Sequence, residues 1–582
     1  MEWRFAHTDR KAADRLAREL GVSPVLAGLL ARRGLGDPEK ALSFLNPALG
    51  DLPSPFLLPD LGPAVERLAQ ALFRREAITV YGDYDADGLT SAALVADVLE
   101  SLGARVKTYI PHRLEEGYGL NTRAVETLAA EGAGLIVTVD CGVSDHEAVA
   151  RAGDLGLDVI VTDHHQLPDR LPPALAVVNP LRPESRFPQR RLAGVGVAFF
   201  LAGGLRQFLR ERGLLTRAGQ PELAPLLGLV AIGTVADVAP LTGVNRILTR
   251  IGLEHLGRPD RPGLAALKEV SALEAGRPLT AREVAFRLAP RLNAAGRLGS
   301  AQPGLELLRV RDQAAAQAAA VELERLNRER RRLQAEVLRQ AEDLIAARER
   351  DLGRTIVLAA EGWPRGLVGL AASKLAEKYL RPTILLALED GLARGSGRSI
   401  KGFNMFAALT RCRDLMIRFG GHEQAAGLTL DRDKVDDLVR AFEETAAGHL
   451  DPAAGQPVLE VEALVTLSDL EGGLAEELAG LAPFGEGNPE PVLALSGLEV
   501  LAAGCVGAPP GHLRLTLAQD GKVFETMGFG LGGLLPGLGR KVSVAVQRYN
   551  STFQGRSRPG WKVVDVRKGA LPPDWPGTGQ IC

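Results

Sequence analysis

Between residues 77 and 180, five short runs rich in β-branched residues recur: AITVYG (77–82), ARVKTYI (104–110), GLIVTVD (134–140), LDVIVTD (157–163) and LAVVNP (175–180). Helical stretches such as LTSAALVADVLESLG (89–103) separate them. Strands alternating with helices in this way imply an α/β fold built on a parallel, doubly wound sheet.

The chain has 582 residues, more than one hydrophobic core usually serves, so several domains are expected. Residues 1–50 read as an N-terminal segment of short helices, and the proline-rich stretch 51–62 reads as a connector. The sheet belongs to a core spanning 51–310, whose second half is mostly helical. Residues 311–350 contain no Gly or Pro and should form one connecting helix of about 40 residues, about 60 Å long. A second α/β lobe follows over 351–455, with strands near RTIVLAA (354–360) and PTILLAL (382–388). Residues 456–570 turn β-rich, with alternation in HLRLTLA (512–518) and KVSVAVQRY (541–549), which suits a small barrel such as an OB-fold. The tail, 571–582, reads as disordered.

The segment VYGDYDADGLTS (80–91) places Asp83, Asp85 and Asp87 between a strand end and a helix start. In a parallel sheet, ligands bind beyond the carboxyl ends of the strands. Asp140 ends the strand GLIVTVD, and Asp163, His164 and His165 end LDVIVTD. Asp237 follows the apolar run in GLVAIGTVADVAPL. One strand-end Asp is usually a turn former or helix cap. Three within five residues repel one another unless a positive charge compensates them. Oxygen ligands with one or two imidazoles suit Mn2+ or Mg2+, and no thiolate is placed for zinc. Two such ions about 4 Å apart, sharing one carboxylate, can clamp a phosphoryl oxygen and activate water for attack on phosphorus.

Net charge is −2, but it is unevenly spread. Residues 391–422 hold six Lys/Arg against Asp414, and residues 540–568 hold eight against Asp565. Two basic stretches on a near-neutral chain suit a confined anionic substrate path. Hydrophobic content of 46% without an unbroken apolar run of membrane-spanning length argues against a membrane protein. The charged start argues against export. Cys141, Cys412, Cys505 and Cys582 form no CxxC pair, so the expected compartment is the reducing cytoplasm.

The segments GDYDADG, VDCG, DHH (163–165) and IGTVADVAPL closely resemble the motifs of the DHH phosphoesterase superfamily. The order of DHH core, long helix, DHH-associated lobe and OB-fold resembles its RecJ branch. The resemblance covers roughly residues 50–570 and implies that Asp83, Asp85 and Asp140 hold one ion. Asp87, Asp140, His164 and Asp237 would hold the other, with Asp140 bridging and His165 facing the scissile phosphate. Tyr81 stands where other branches carry a histidine. The segment PRLNAAGRLGSA (290–301) offers Arg291 and Arg297 as phosphate contacts.

The same resemblance implies a pocket for a terminal 5′-phosphate, with Arg113, Ser396 and Arg398 as members. FGGHEQAAGLTL (419–430) supplies Gly420, Gly421 and His422, where small residues permit close approach of a nucleic-acid backbone. Phe524, Phe529, Tyr549, Phe553 and Trp561 lie among basic residues of the OB-like region. OB-folds bind single strands by base stacking in a cationic groove. Tyr549 and Phe553 lie in YNSTFQG, which resembles the late OB motif. The family's usual Trp-His pair reads Trp363-Pro364 here.

The implied activity is a single-strand-specific 5′→3′ exodeoxyribonuclease using two Mn2+ or Mg2+ ions, yielding 5′-phosphorylated products in DNA recombination and repair. It implies a monomer on single-stranded DNA, working beside a helicase and a single-strand-binding protein. One alternative is a DHH phosphodiesterase of short oligonucleotides or cyclic dinucleotides, which would not need an OB-fold. Another is a non-catalytic single-strand-binding relative. Such relatives lose acidic positions, whereas every acidic and histidine position of the four motifs is filled here.

Overall fold

The structure, a computed structural model, describes residues 1–5, 7–215, 219–347, 353–450, 458–508, 511–553 and 556–572, with the side chains of 550–559 excluded. It divides into two compact units. One comprises residues 53–239 and 251–455; the other comprises 1–52, 240–250 and 456–582.

In the first unit the β-branched runs form β1 (Ala77–Gly82), β2 (Arg105–Tyr109), β3 (Leu135–Val139), β4 (Asp158–Thr162) and β5 (Ala176–Val178). They lie parallel in the order β2-β1-β3-β4-β5. β3 is buried along its whole length, as a strand covered on both faces must be. Successive strands are added on one side of β1 and then on the other. The switch point therefore falls at β1 and β3, where Asp83 and Asp140 emerge.

The associated lobe is a second sheet in the same unit. Its strands are β6 (Ile356–Glu361), β7 (Thr383–Glu389), β8 (Leu392–Arg398), β9 (Arg418–Gly421) and β10 (Ala425–Asp431), in the order β9-β10-β8-β7-β6. Only β6 and β7 are parallel.

Five helices of this unit shape the site: α1 (Ala86–Ser101), α2 (Gly194–Glu211), α3 (Leu227–Ala236), α4 (Ala289–Leu298) and α5 (Gln313–Ala347). The connecting helix α5 has 35 residues. It starts two residues after the expected boundary, and residues 348–350 lie outside the described ones. Its buried positions include Ala316, Ala320, Leu323, Asn327, Gln334, Val337 and Ala341, a helical-period stripe.

In the second unit the strands Leu493–Val506, His512–Gln519, Lys522–Gly528, Arg556–Lys568 and Lys541–Phe553 pair in succession, and the last pairs back on the first. Closure abolishes the sheet edges, as a small barrel requires. Leu513, Leu515 and Leu517 alternate into its core, matching the sequence periodicity.

Residues 1–50 are not only short helices: Glu2–Phe5 is a strand parallel to Val458–Val461, with Trp3 buried and its indole N–H donating to Asp565 at 2.8 Å. A strand of four residues is too short for alternation to reveal it. The N-terminal segment and the barrel region are thus one unit rather than two successive domains. Arg246, fully buried, ties residues 240–250 into it by donating to the carbonyls of Phe44, Leu481 and Gly480. The tail 573–582 lies outside the described residues. No helix among the described residues is long and apolar enough to cross a membrane.

Candidate metal centre

Each carboxylate reaches the centre from a local structural device. Asp85 is the N-cap of α1: its Oδ1 accepts from the amides of Asp87 at 2.9 Å and Gly88 at 3.2 Å. Gly88 has no side chain because a Cβ there would stand 2.5 Å from the Asp83 carbonyl. Asp140 follows β3 with φ at +61°, a left-handed conformation that Asp tolerates better than most residues. Asp237 caps the C-terminus of α3. The next two amides, of Val238 and Ala239, turn back to the carbonyls of Val235 and Thr234, both at 3.2 Å.

These devices converge. Ligand atoms of Asp83, Asp85 and Asp140 lie within 4.8 Å of one another, as do those of Asp87, His164 and Asp237. His164 links the two sets: its Nε2 stands 3.0 Å from Asp140 Oδ1 and 4.0 Å from Asp87 Oδ2, and its Nδ1 stands 3.8 Å from Asp237 Oδ2. Yet Asp83 Oδ1, Asp140 Oδ1 and His164 Nε2 are buried with no hydrogen-bond partner. The short His164–Asp140 approach thus lacks hydrogen-bond direction. A separation of 3.0 Å suits neighbouring ligands of one octahedral ion held at about 2.1 Å. Orphaned buried oxygens and an imidazole are the donor set that Mn2+ or Mg2+ takes.

The electrostatics agree. Burial pushes Asp140 and Asp83 well above the ordinary carboxylate range, and neighbouring carboxylates add to the effect. Asp87 is raised to about 7 by burial and then by Asp237. Asp237 is raised to about 7 by burial and then by Asp85. Burial holds His164 below its usual value, with His165 beside it. A cluster that resists its own ionisation is one that a cation would stabilise.

Asp163 has a different task. Its Oδ1 accepts from the amides of His164 at 2.7 Å and His165 at 3.1 Å and lies 2.7 Å from His165 Nδ1, while Oδ2 accepts from the Val143 amide at 3.0 Å. Burial alone would lower the pKa of His165, but the hydrogen bond and charge of Asp163 raise it to about 9. Asp163 thus favours the charged form of His165 and orients its ring, which is about half exposed.

Three comparisons bear on this arrangement. Family models match the DHH family N-terminal domain over residues 77–234, the DHHA1 domain over 353–448 and the RecJ OB domain over 461–565. The single-stranded-DNA-specific exonuclease RecJ of Bacillus subtilis is 36% identical over 571 residues, covering 97% of this chain and 71% of that protein. The chain belongs to the RecJ family. The RecJ of Escherichia coli is 41% identical over 484 residues, 81% of this chain and 83% of that protein. The crystal structure of RecJ from Thermus thermophilus in complex with Mn2+ superposes with a TM-score of 0.83 at 34% identity, covering 98% of this chain and 80% of that one.

On this RecJ framework the remaining candidates separate. Arg113 lies over the Tyr84 ring at 4.7 Å and makes no ion pair among the described residues. Arg398, on β8, donates to Ser396 Oγ and to the Gly397 carbonyl. Burial lowers the pKa of both Arg398 and Arg297, and Arg113 lowers each further, so the three guanidiniums feel one another. Arg297 donates to the Gly366 carbonyl at 3.4 Å, a weak bond. None of the three makes an ion pair among the described residues, which suits an anionic ligand. Gly420 and Gly421 lie on the edge strand β9, and Gly421 has φ +144°, which only glycine adopts freely. His422 follows, exposed, and its pKa is lowered by burial and then by Arg398 and His165.

Arg291 stands apart from that cluster. Its guanidinium pairs with Glu324 on α5 at 2.8 Å, so it locks α4 to the long helix and is not free for a phosphate. Trp363 is buried, its N–H bound to Gln340 at 2.8 Å, which makes it a packing residue. In the other unit Tyr549 meets Phe529 edge-on at 6.0 Å, and Phe529 is half exposed. Trp561 belongs to the barrel core, and the side chain of Phe553 lies outside the described ones.

Sequence reasoning missed several contributors. Tyr118 Oη lies 3.0 Å from His165 Nδ1 and 3.3 Å from the Asp140 carbonyl. Glu116 accepts from Tyr109, from the His112 amide and from Asn121, which braces the loop carrying Arg113 and Tyr118. The amides of Gly194 and Val195, at the start of α2, donate to the two oxygens of Asp87 at 2.8 and 2.9 Å. Only the last left a trace in the sequence: AGVGVA, glycines opening a helix after a polar stretch.

Proposed function

We propose that the chain is a metal-dependent exonuclease that degrades single-stranded DNA from its 5′ end. The observation that carries this reading is the set of buried, unpartnered ligand atoms of Asp83, Asp140 and His164, at the switch point of a RecJ-family sheet. Asp83, Asp85 and Asp140 would hold one Mn2+ or Mg2+ ion, and Asp87, Asp140, His164 and Asp237 the other. Bound there, the ions supply charge neutralisation and Lewis acidity for hydrolysis of a phosphodiester.

The side chains do the rest. His165, charged and aimed by Asp163, meets a non-bridging oxygen of the scissile phosphate and opposes the charge that develops on it. Arg297 adds a second cation at the same face. Arg113, Ser396 and Arg398 form a stop for the terminal 5′-phosphate, which sets polarity by fixing the distance from chain end to metals. Gly420, Gly421 and His422 let the strand backbone approach the lobe. Tyr549 and Phe553 offer stacking surfaces in the barrel.

A role in recombination and repair, a monomeric state, work beside a helicase and a single-strand-binding protein, and a cytoplasmic location belong to the same proposal. No disulfide joins Cys141, Cys412 and Cys505.

The test is degradation of single strands labelled at either end, with Mn2+, Mg2+ or chelator present. Stepwise release from the 5′ end with metal, and none with chelator, is expected. Release that begins at the 3′ end, or that ignores the chelator, would overturn the proposal.

A further inference from the structure

The segment RLNAAGR contributes more than arginines. Helix α1 begins inside the carboxylate cluster, and its first amides need acceptors. The Asp85 side chain takes those of Asp87 and Gly88, and the Asp85 carbonyl takes that of Leu89 at 2.8 Å. The amide of Ala86 remains. It donates to Oδ1 of Asn293, 207 residues away on α4, at 2.7 Å. Asn293 therefore completes the cap of the helix that carries Asp87 and starts at Asp85.

The fit around this bond is close. A Cβ on Gly296, one turn along α4, would stand 2.8 Å from the Tyr84 carbonyl, so α4 rests directly on the loop 83–85. Ala86 is fully buried, so its amide is costly to leave without an acceptor. A carboxamide is also the right acceptor chemically. It is neutral, whereas a carboxylate would add another negative charge to a cluster that already resists ionisation.

We infer that Asn293 is a positioning residue for the metal centre: by accepting from Ala86 it ties the start of α1 to α4 and so holds the Asp85 carboxylate where it can cap the helix and face a cation. Without that tie the loop 83–85 loses its aim. The inference rests on the metal-site reading of the proposed function and adds a residue that touches neither metal nor substrate.

The test is Mn2+ binding by isothermal titration to metal-free protein, with melting of the metal-free form measured alongside. Asn293→Leu keeps the volume and removes the acceptor. It should weaken Mn2+ binding about tenfold, the loss typical of an outer-shell partner. Asn293→Asp keeps the acceptor but adds a charge, and should lose less Mn2+ affinity than Asn293→Leu. Ala86→Pro removes the donor at a first helical position, where proline is tolerated. It should match Asn293→Leu, and the double variant should be no weaker than Asn293→Leu alone.

Should Asn293→Leu fail to fold, Ala86→Pro against Asn293→Asp decides the same point. Additive losses in the double variant, equal losses in the Leu and Asp variants, or lower melting with unchanged Mn2+ affinity would each overturn the role of Asn293. A parent protein that binds no Mn2+ would instead sink the metal reading itself.

Discussion

Gly194 presses against Asp140 so closely that no side chain fits between them: a Cβ on Gly194 would stand 2.5 Å from Asp140 Oδ1. The same residue's amide holds Asp87. One glycine at a helix start therefore seats both Asp140 and Asp87, the carboxylates proposed to be shared between the ions and to ligate the second. Gly194→Ala should leave the fold intact, because alanine favours a helix. It should weaken Mn2+ binding by about tenfold to a hundredfold, as displaced metal-site geometry does. Circular dichroism with Mn2+ titration checks both halves. An alanine variant that binds Mn2+ normally would show that the contact does not seat Asp140.

The raised carboxylates give the metal-free protein a definite pH dependence. Asp87 and Asp237 stand near 7 in the folded chain, above their unfolded values. Their contribution to stability is therefore fully present below the ordinary carboxylate range and is lost as pH rises through about 7. Metal-free protein should melt lower at pH 8 than at pH 6. Mn2+ binds the ionised forms, so its apparent affinity should rise over the same interval, by up to about tenfold per pH unit for each proton displaced. Thermal melting with and without Mn2+ across this range reads both trends. A metal-induced shift that shrinks as pH rises would contradict the assignment.

Arg291 and Arg297 share a helix and should behave oppositely. Arg291→Ala breaks a largely buried ion pair with Glu324, which keeps a second partner in Arg328. It should cost roughly 2 kcal/mol of stability and spare the chemistry. Arg297→Ala should melt close to the parent and lower kcat/KM by at least about tenfold. Denaturant unfolding paired with initial rates on single-stranded DNA separates them. The reverse pattern would exchange their roles.

Val238, immediately after Asp237, has φ +57° while its side chain is 62% exposed. A β-branched residue is strained there, and most of its surface is exposed. Asn tolerates this conformation, so Val238→Asn should stabilise the protein by about 1 kcal/mol, seen as a higher melting temperature. A lower melting temperature would mean that the valine is held by a contact rather than strained.

Much of the site was legible in the chain. Strand periodicity and strand-to-helix junctions are local properties, and ligands gather at the carboxyl ends of parallel strands. Asp83, Asp140 and the 163–165 triplet were therefore placed by pattern, and the structure brings them together. The arginines of RLNAAGR were less legible. Six residues on a helix rotate a side chain by about 240°, so Arg291 and Arg297 leave α4 on different faces. The pattern does not say which face meets Glu324 and which meets the centre.

By itself the sequence determined the parallel sheet, the barrel alternation and the ligand types, because each follows from chemistry repeated over a few neighbouring residues. Only the tertiary structure decided that Gly194 must lack a side chain, that Asn293 caps a helix begun at Asp85, and that Asp163 aims a histidine. Gly194 meets Asp140 across 54 residues and Asn293 meets Ala86 across 207, while Asp163, two residues from His165, is itself held by the Val143 amide 20 residues away. A steric limit or an unpaired amide leaves no local period to read.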